Sequence, residues 1–161
     1  YPTNNSLIWD CIRKSNDHLK KLSEEVSGLS YRDYTKGAKK TFFKINNTSS
    51  KDKRIQLFTK QLQAFTKSIN QISNVIKKKN TCVSIASLTY ILLLEDLLPV
   101  MKQVYDVSFR KEIKGEKVPS SEKVFSIFER HTDIIVKGSR DVVFGHKINL
   151  TSGKSNMILD C

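Results

Sequence analysis

The side chains that could take part in catalysis or metal binding are few and scattered. His131 and His146 lie late in the chain, and no nucleophile or metal ligand accompanies either one at a suitable spacing. Glu129, Asp133 and Asp141 have spacings at which a metal could bind, but carboxylates at loop ends are the simpler interpretation. The sequence therefore predicts no catalytic residue and no metal ligand, and it leaves the roles of the two histidines open.

The cysteines and one phosphate-loop-like string do not predict a site either. Cys11, Cys82 and Cys161 are far apart and form no Cys-x-x-Cys pair, so no zinc site is expected. Free thiols in a reducing compartment are expected instead, and a cytoplasmic location is the prediction. Gly153-Lys154-Ser155 is similar to the end of a phosphate-binding loop, but the first glycine of that motif is missing and a hairpin follows it rather than a helix.

The charge of the chain is its strongest indication of a partner. The net charge is +12, and residues 1–80 hold 17 Lys and Arg against 6 Asp and Glu, whereas residues 81–161 hold 11 against 10. A positive excess in one half favours a polyanion, either nucleic acid or an anionic membrane surface. The alternative is a lysine-rich surface with no particular partner. Glu95 and Asp96 interrupt the most apolar stretch, so no membrane span is expected.

Four helices are expected to carry this charge. The first is predicted to begin at Thr3 or Asn5 and to end at Gly28, because these residue types favour the two ends of a helix. The second is predicted over about Arg32–Ile45, where basic residues surround two phenylalanines. The fourth is predicted over about Ser84–Arg110, with an apolar face so wide that this helix should be the most buried.

The third helix has the clearest pattern. Its apolar residues alternate at spacings of three and four, which is typical of a bundle seam: Ile55, Phe58, Leu62, Phe65, Ile69, Ile72 and Ile76. Lys53, Lys60 and Lys67 recur every seven residues on the opposite face. Together with Lys39 and Lys40 of the second helix, they are the candidate contacts to a nucleic-acid backbone, and an ordinary solvated face is the alternative.

Beyond residue 113 the pattern changes from helical to alternating. The fold class predicted from this change is α+β, with a basic helical bundle over residues 1–113 and a short antiparallel sheet within residues 114–161. Because a two-stranded ribbon is marginal by itself, the chain is expected to be part of a larger protein. The strands are predicted at residues 124–128, 133–137, 144–150 and 156–161, the last two as a hairpin around Gly153.

Several strings in the chain resemble one enzyme family. Residues 129–138, 144–155 and 158–161 resemble the central region of DDE-type transposases of bacterial insertion sequences. The opening residues 1–11 resemble the segment that follows the first catalytic aspartate in that family, and residues 115–119 fit as well. The helical middle of the chain agrees in character more than in residues.

The resemblance implies a fold and a chemistry. Such transposases have a ribonuclease-H-like core in which three acidic residues hold two Mg²⁺ ions for attack on a DNA phosphodiester. By this resemblance, the first acidic residue precedes Tyr1 and the other two follow Cys161. This chain would then lack the acidic triad, would hold no cofactor itself and would be inactive alone, and neither Asp10 nor Asp160 matches a triad position.

The resemblance also extends the set of candidate DNA contacts. Arg140 and Lys147 lie in or beside the matching strings, near where DNA would pass in that family, so they join the five lysines as candidates. The expected function is a transposase fragment that contributes DNA-backbone or subunit contacts. The alternative is a basic helical bundle that stands alone, as a binding protein or as a dimerisation module built on the seam of residues 55–76.

Overall fold

Four long helices form the core in the part of the chain whose side chains the structure describes. This computed structural model describes residues 3–78 and 84–128, and beyond them the backbone of four short strands. The helices are α1 (Asn4–Glu25), α2 (Thr35–Asn46), α3 (Lys51–Lys77) and α4 (Ile85–Ser108). The chain divides into two compact units, Tyr1–Ile127 and Phe128–Cys161, and all four helices belong to the first.

Local capping fixes where α1 and α4 begin. The Thr3 hydroxyl accepts a hydrogen bond from the backbone N–H of Ser6 (3.2 Å), and the Ser84 hydroxyl accepts one from the N–H of Ser87 (3.0 Å). Each bond satisfies a donor that the first helical turn leaves free. Gly28, just beyond α1, has a φ of 81°, which a side chain would disfavour. The predicted start at Thr3 is therefore confirmed, whereas α1 ends at Glu25, three residues before the predicted end at Gly28.

Polar side chains tie α2 to its neighbours within the core. Asn5, the other predicted cap, is instead buried inside α1, where its Nδ2 donates to the carbonyl of Phe42 (3.0 Å) and to Oδ1 of Asn46 (2.9 Å). Gln61 of α3 is also buried, and its Nε2 donates to the carbonyl of Ala38 (3.3 Å). Because a buried amide without a partner is costly, these bonds fix the position of α2 against both helices.

The seam predicted for α3 lies in the centre of the bundle. Phe58, Leu62, Phe65 and Ile72 are buried, and Ile69 and Ile76 are partly exposed and pack around them, whereas Ile55 is partly exposed outside this cluster. The other helices contribute a similar apolar set to the same core: Leu7, Ile8, Cys11, Ile12, Leu19, Leu22, Ala38, Ile45, Ile91, Leu94, Leu97, Met101 and Val104. The pattern of three and four thus predicted the buried face of α3 correctly.

A π-helical turn and the side chain of Arg110 connect α4 to the segment that follows it. Residues Phe109–Ile113 form a π-helical turn. From this turn Arg110 donates hydrogen bonds to the carboxylates of Asp106, Glu116 and Glu122. These bonds raise the pKa of Arg110 above its usual value, Glu122 contributing most, and Arg110 in turn lowers the pKa of Glu116. The guanidinium therefore holds the chain after α4 back against the end of that helix.

The predicted α+β fold is wrong, because the part of the chain with described side chains is all-helical. The strand predicted at residues 124–128 is absent there: Val124 and Ile127 pack against the helices instead. Since β-propensity reflects how side chains pack, a helical surface can use the same residues. The segment after residue 113 also belongs to the helical unit as far as Ile127, so the division falls later than the predicted 113/114 boundary.

The second unit contains two separate two-stranded ladders. Strand β1 (Asp133–Lys137) pairs antiparallel with β2 (Asp141–Gly145), with Asp133 opposite Gly145 and Lys137 opposite Asp141. Strand β3 (Thr151–Ser152) pairs antiparallel with β4 (Ile158–Asp160). No hydrogen-bonded ladder joins the two pairs within these strands, so they do not form the single sheet that was predicted.

Phe65 tests the role of the α3 seam. Its ring is fully buried and lies 6.4 Å from the ring of Tyr105 in α4, measured between centroids. Phe65→Ala should lower the free energy of unfolding by about 3–5 kcal/mol, because it leaves a cavity and removes buried apolar surface. Urea denaturation followed by circular dichroism measures this loss.

Phe43→Ala is the matched control. The Phe43 ring is 51% exposed on α2 and contacts mainly its neighbour Phe42. This substitution should cost about 1 kcal/mol or less. Equal losses in the two variants would contradict the assignment of Phe65 to the centre of the core.

Candidate nucleic-acid interface

The most basic surface of the helical unit belongs to α2 and α3. Residues 35–77, which span both helices, contain ten Lys or Arg and a single acidic residue, Asp52. All five predicted lysines of these helices are exposed: Lys39, Lys40, Lys53, Lys60 and Lys67. The positive charge found in the first half of the sequence is therefore on the outside of two neighbouring helices.

The helical period places three of these lysines in a row. Lys53, Lys60 and Lys67 recur every seven residues, which is about 10 Å of axial rise per step. They lie away from the buried face of α3. Uncharged amides such as Gln63 and Asn70 lie beside Lys60 and Lys67, whereas the exposed Asp52 precedes Lys53. The long side chains of lysines in such a row can contact phosphates along a nucleic-acid backbone.

No carboxylate neutralises these lysines locally. Within residues 3–78 and 84–128, none of the five makes an ion pair, whereas other cations do: Arg13 with Asp10 (3.1 Å) and Lys21 with Asp17 (3.3 Å). Lysines that no carboxylate neutralises contribute positive potential at the surface. The α2–α3 surface is therefore suited to bind an anion rather than to form internal ion pairs.

Charge differs sharply from one helix to the next. Helix α1 carries four basic and four acidic residues and is neutral, whereas α4 carries three carboxylates and one lysine. The bond from Gln61 to the carbonyl of Ala38 joins α2 and α3 directly beside Lys60 and Lys39. The fold thus brings the lysines of two helices together, on one part of the bundle, without interposing acidic side chains.

Two predicted DNA contacts, Arg140 and Lys147, lie outside the described residues. The same is true of the two candidate histidines, His131 and His146. Of the nucleic-acid contacts predicted from sequence, the five lysines are therefore the ones to which the structure assigns an environment.

A groove between α1 and α2 was not predicted from the sequence. It has a volume of about 450 Å³, and Trp9, Arg13, Lys20, Lys36 and Lys39 line it together with polar residues. Taken alone, the sequence of α1 indicates only that Trp9 widens an apolar face near the start of the helix. The groove depends on how two helices meet, and no spacing within either helix encodes it.

A larger groove of about 1060 Å³ lies beside the end of α1, the second half of α3 and the start of α4. Its lining mixes apolar residues such as Leu22 and Ile91 with amides, and it also includes Lys67. One amide, Gln71, already binds the backbone of Arg32, accepting from its N–H (2.8 Å) and donating to its carbonyl (3.2 Å). Through Lys67, this groove adjoins the basic surface at one end.

An apolar stripe occupies the outer side of α4. Ile85 is 85% exposed and Leu92 is 63% exposed, with Leu88 between them at helical spacing. Other members of the same wide apolar face, such as Leu94, are buried in the core. The prediction that α4 is the most buried helix is therefore wrong, because one side of its wide apolar face is exposed.

Neither a metal centre nor a membrane span is found in the described part of the chain. No three His, Cys, Asp or Glu residues cluster there in a way that could hold a metal ion, so these residues do not fit the Mg²⁺ site of a DDE enzyme. Among the helices of that same part, none combines the length and the apolar character needed to cross a bilayer.

Comparisons with known proteins identify no relative. Neither family models, nor curated proteins, nor solved structures match this chain.

His18 of α1 is a half-buried titratable group. Its ring lies 6.5 Å from that of Tyr90 in α4, and both ring nitrogens are shielded and lack a hydrogen-bond partner. Burial lowers the pKa of His18, and Lys14 and Lys21 lower it further, while Asp17 partly opposes them. The folded protein therefore favours the neutral imidazole.

This lowered pKa makes stability depend on pH. The unfolded chain binds a proton at His18 near pH 6.5 and the folded chain only at lower pH, so acidification favours unfolding. The unfolding free energy should be largest above about pH 7 and fall toward about pH 5.5, by less than about 1.4 kcal/mol per pH unit for this one group. Urea denaturation at several pH values should give a shallower decline for His18→Gln, and an unchanged decline would contradict this origin.

Proposed function

We propose that this chain is part of a DNA transposase and that its helical unit binds the DNA backbone through the outer surface of α2 and α3. The observation that carries the binding proposal is the group of five exposed lysines without ion-pair partners among the described residues. The transposase assignment rests on the resemblance of the terminal strings, and the basic surface is consistent with it. Contacts of this kind position a protein on DNA without reading its sequence.

The structure argues against one alternative, dimerisation through the seam of residues 55–76. Phe58, Leu62, Phe65 and Ile72 already pack inside the bundle, so they are not available to a second copy. A basic helical bundle that stands alone remains the second candidate function. It is favoured by the single core of the helical unit, and it shares the proposed DNA surface.

A triple substitution tests the α3 surface. Lys53, Lys60 and Lys67, each changed to Ala, should weaken binding to a short blunt duplex at low salt. Each lost phosphate contact should reduce the slope of log affinity against log salt by about 0.9, so the triple variant should lose up to about 2.7. Fluorescence anisotropy of a labelled duplex over a range of salt concentrations measures both effects.

The control removes the same charge elsewhere. Lys102, Lys111 and Lys117 are also exposed but belong to α4 and the segment after it. Changing all three to Ala should leave the duplex affinity and its salt slope close to those of the unmodified chain. If the two triple variants weaken equally, binding is spread over the molecule and the proposed interface is wrong. Undetectable binding of the unmodified chain at low salt would also overturn it.

Catalysis gives a separate test of the transposase assignment. This chain, incubated with supercoiled plasmid and Mg²⁺, should leave the DNA uncut, because the resemblance places all three acidic residues outside it. Gel electrophoresis of the plasmid measures nicking, with a chelator as the matched control. Mg²⁺-dependent nicking that co-purifies with the chain would contradict this placement of the triad.

A further inference from the structure

The groove between α1 and α2 combines an aromatic ring with positive charge. Trp9 is the only tryptophan in the chain. It is partly buried, because one part of the side chain packs against the core while another part lines the groove. The indole is therefore accessible from the groove as well as being part of the packing of α1.

The charge of this groove is strongly one-sided. Four cations line it, namely Arg13, Lys20, Lys36 and Lys39, against one carboxylate, that of Asp17. The carboxylate is engaged by Lys21, and Arg13 is held by Asp10. The three lysines are exposed and make no ion pair with any residue the structure describes, so the free charge of the groove is positive.

These two properties restrict the ligand. The lysines exclude a cation, and an apolar ligand would leave their ammonium groups poorly solvated. An anion with a flat ring fits both, since the ring can stack on indole while the anionic groups reach the lysines. A volume of about 450 Å³ is within the usual range of sites for small ligands.

Nucleic acid offers this combination only where a base is unpaired. In a duplex, the faces of the bases are covered by their neighbours and only the edges are accessible in the grooves. An unpaired nucleotide exposes its face for stacking and keeps its flanking phosphates. The groove is therefore suited to a single strand, whereas the row of lysines on α3 is suited to a backbone of either form.

We propose that the α1–α2 groove binds one unpaired nucleotide of a DNA strand, with its base stacked on Trp9 and its flanking phosphates on Lys36 and Lys39. This inference rests on the proposed function, because it assumes that DNA already lies along α2. Lys39 belongs both to the groove and to the predicted DNA contacts, which makes the two surfaces continuous. Lys20 supplies positive charge from the α1 side.

The single tryptophan supplies a direct measurement. Stacking of a base on Trp9 should quench its fluorescence, so titration with a short oligothymidylate should reduce the emission, whereas a blunt duplex of equal length should leave it nearly unchanged. Anisotropy of the labelled strands, recorded in parallel, shows whether each one is bound. Trp9→Ala should weaken oligothymidylate binding roughly 5- to 150-fold, which corresponds to the loss of one stacked base.

Two further variants keep the test valid if Trp9→Ala fails to fold. Trp9→Phe retains a ring and should keep most of the affinity for the single strand. Lys36→Ala combined with Lys39→Ala leaves the fluorophore intact and should shift the quenching curve to higher strand concentration. Circular dichroism melting establishes that each variant is folded before it is titrated.

The outcomes separate this inference from the proposed function. If anisotropy reports a bound single strand while Trp9 emission stays constant, the groove proposal is overturned and the α3 surface is unaffected. If the duplex does not bind but the single strand quenches, the duplex interface fails while the groove proposal stands. Quenching by free thymidine monophosphate at the same concentration as the strand would show that the groove binds free nucleotides, and would overturn its assignment to a DNA strand.

Discussion

The packing of α1 against the other three helices is the constraint on which the helical unit depends. Helix α1 contacts α2, α3 and α4, so its buried residues must suit three partners at once. Where it meets α3, two small residues face each other, and the hydroxyls of Ser15 and Ser68 are 3.3 Å apart. A close approach of this kind leaves little room for larger side chains. Cys11, one turn earlier in α1, is also buried, and burial raises the pKa of its thiol to about 12, with Asp10 contributing.

Local sequence signals predicted the helices well because the signals and their effects lie within a few residues of each other. Thr3 and Ser84 cap the turns that they precede, and the spacing along α3 alone specified its buried face. The prediction of the fold class was wrong because the fold class depends on contacts between residues that are far apart in the sequence. Val124 and Ile127 have side chains that suit a strand, yet an apolar helical surface was available to bury them. Their β-propensity does not show whether they pack in a sheet or against a helical surface.

One part of the candidate site could likewise be predicted from local sequence, and the other part could not. Exposure of Lys53, Lys60 and Lys67 follows from the period of one helix, so the sequence was enough to predict it. The groove at Trp9 requires α1 and α2 to meet at a particular place, which Asn5 and Gln61 determine through bonds to the backbone of α2. The cluster around Arg110 likewise joins residues on either side of a loop. Such groupings depend on tertiary contacts that no single-helix pattern contains.

The uneven charge of the four helices has a consequence for how the helical unit meets a polyanion. With excess cations on α2 and α3, balance on α1 and excess carboxylates on α4, the bundle has an electric dipole as well as a net charge. The electric field of a polyanion therefore exerts a torque on the bundle and rotates it so that α2 and α3 face the polyanion before contact. Fewer encounters then begin in the wrong orientation. At higher ionic strength this alignment is confined to shorter separations, and it is lost sooner than the contacts themselves.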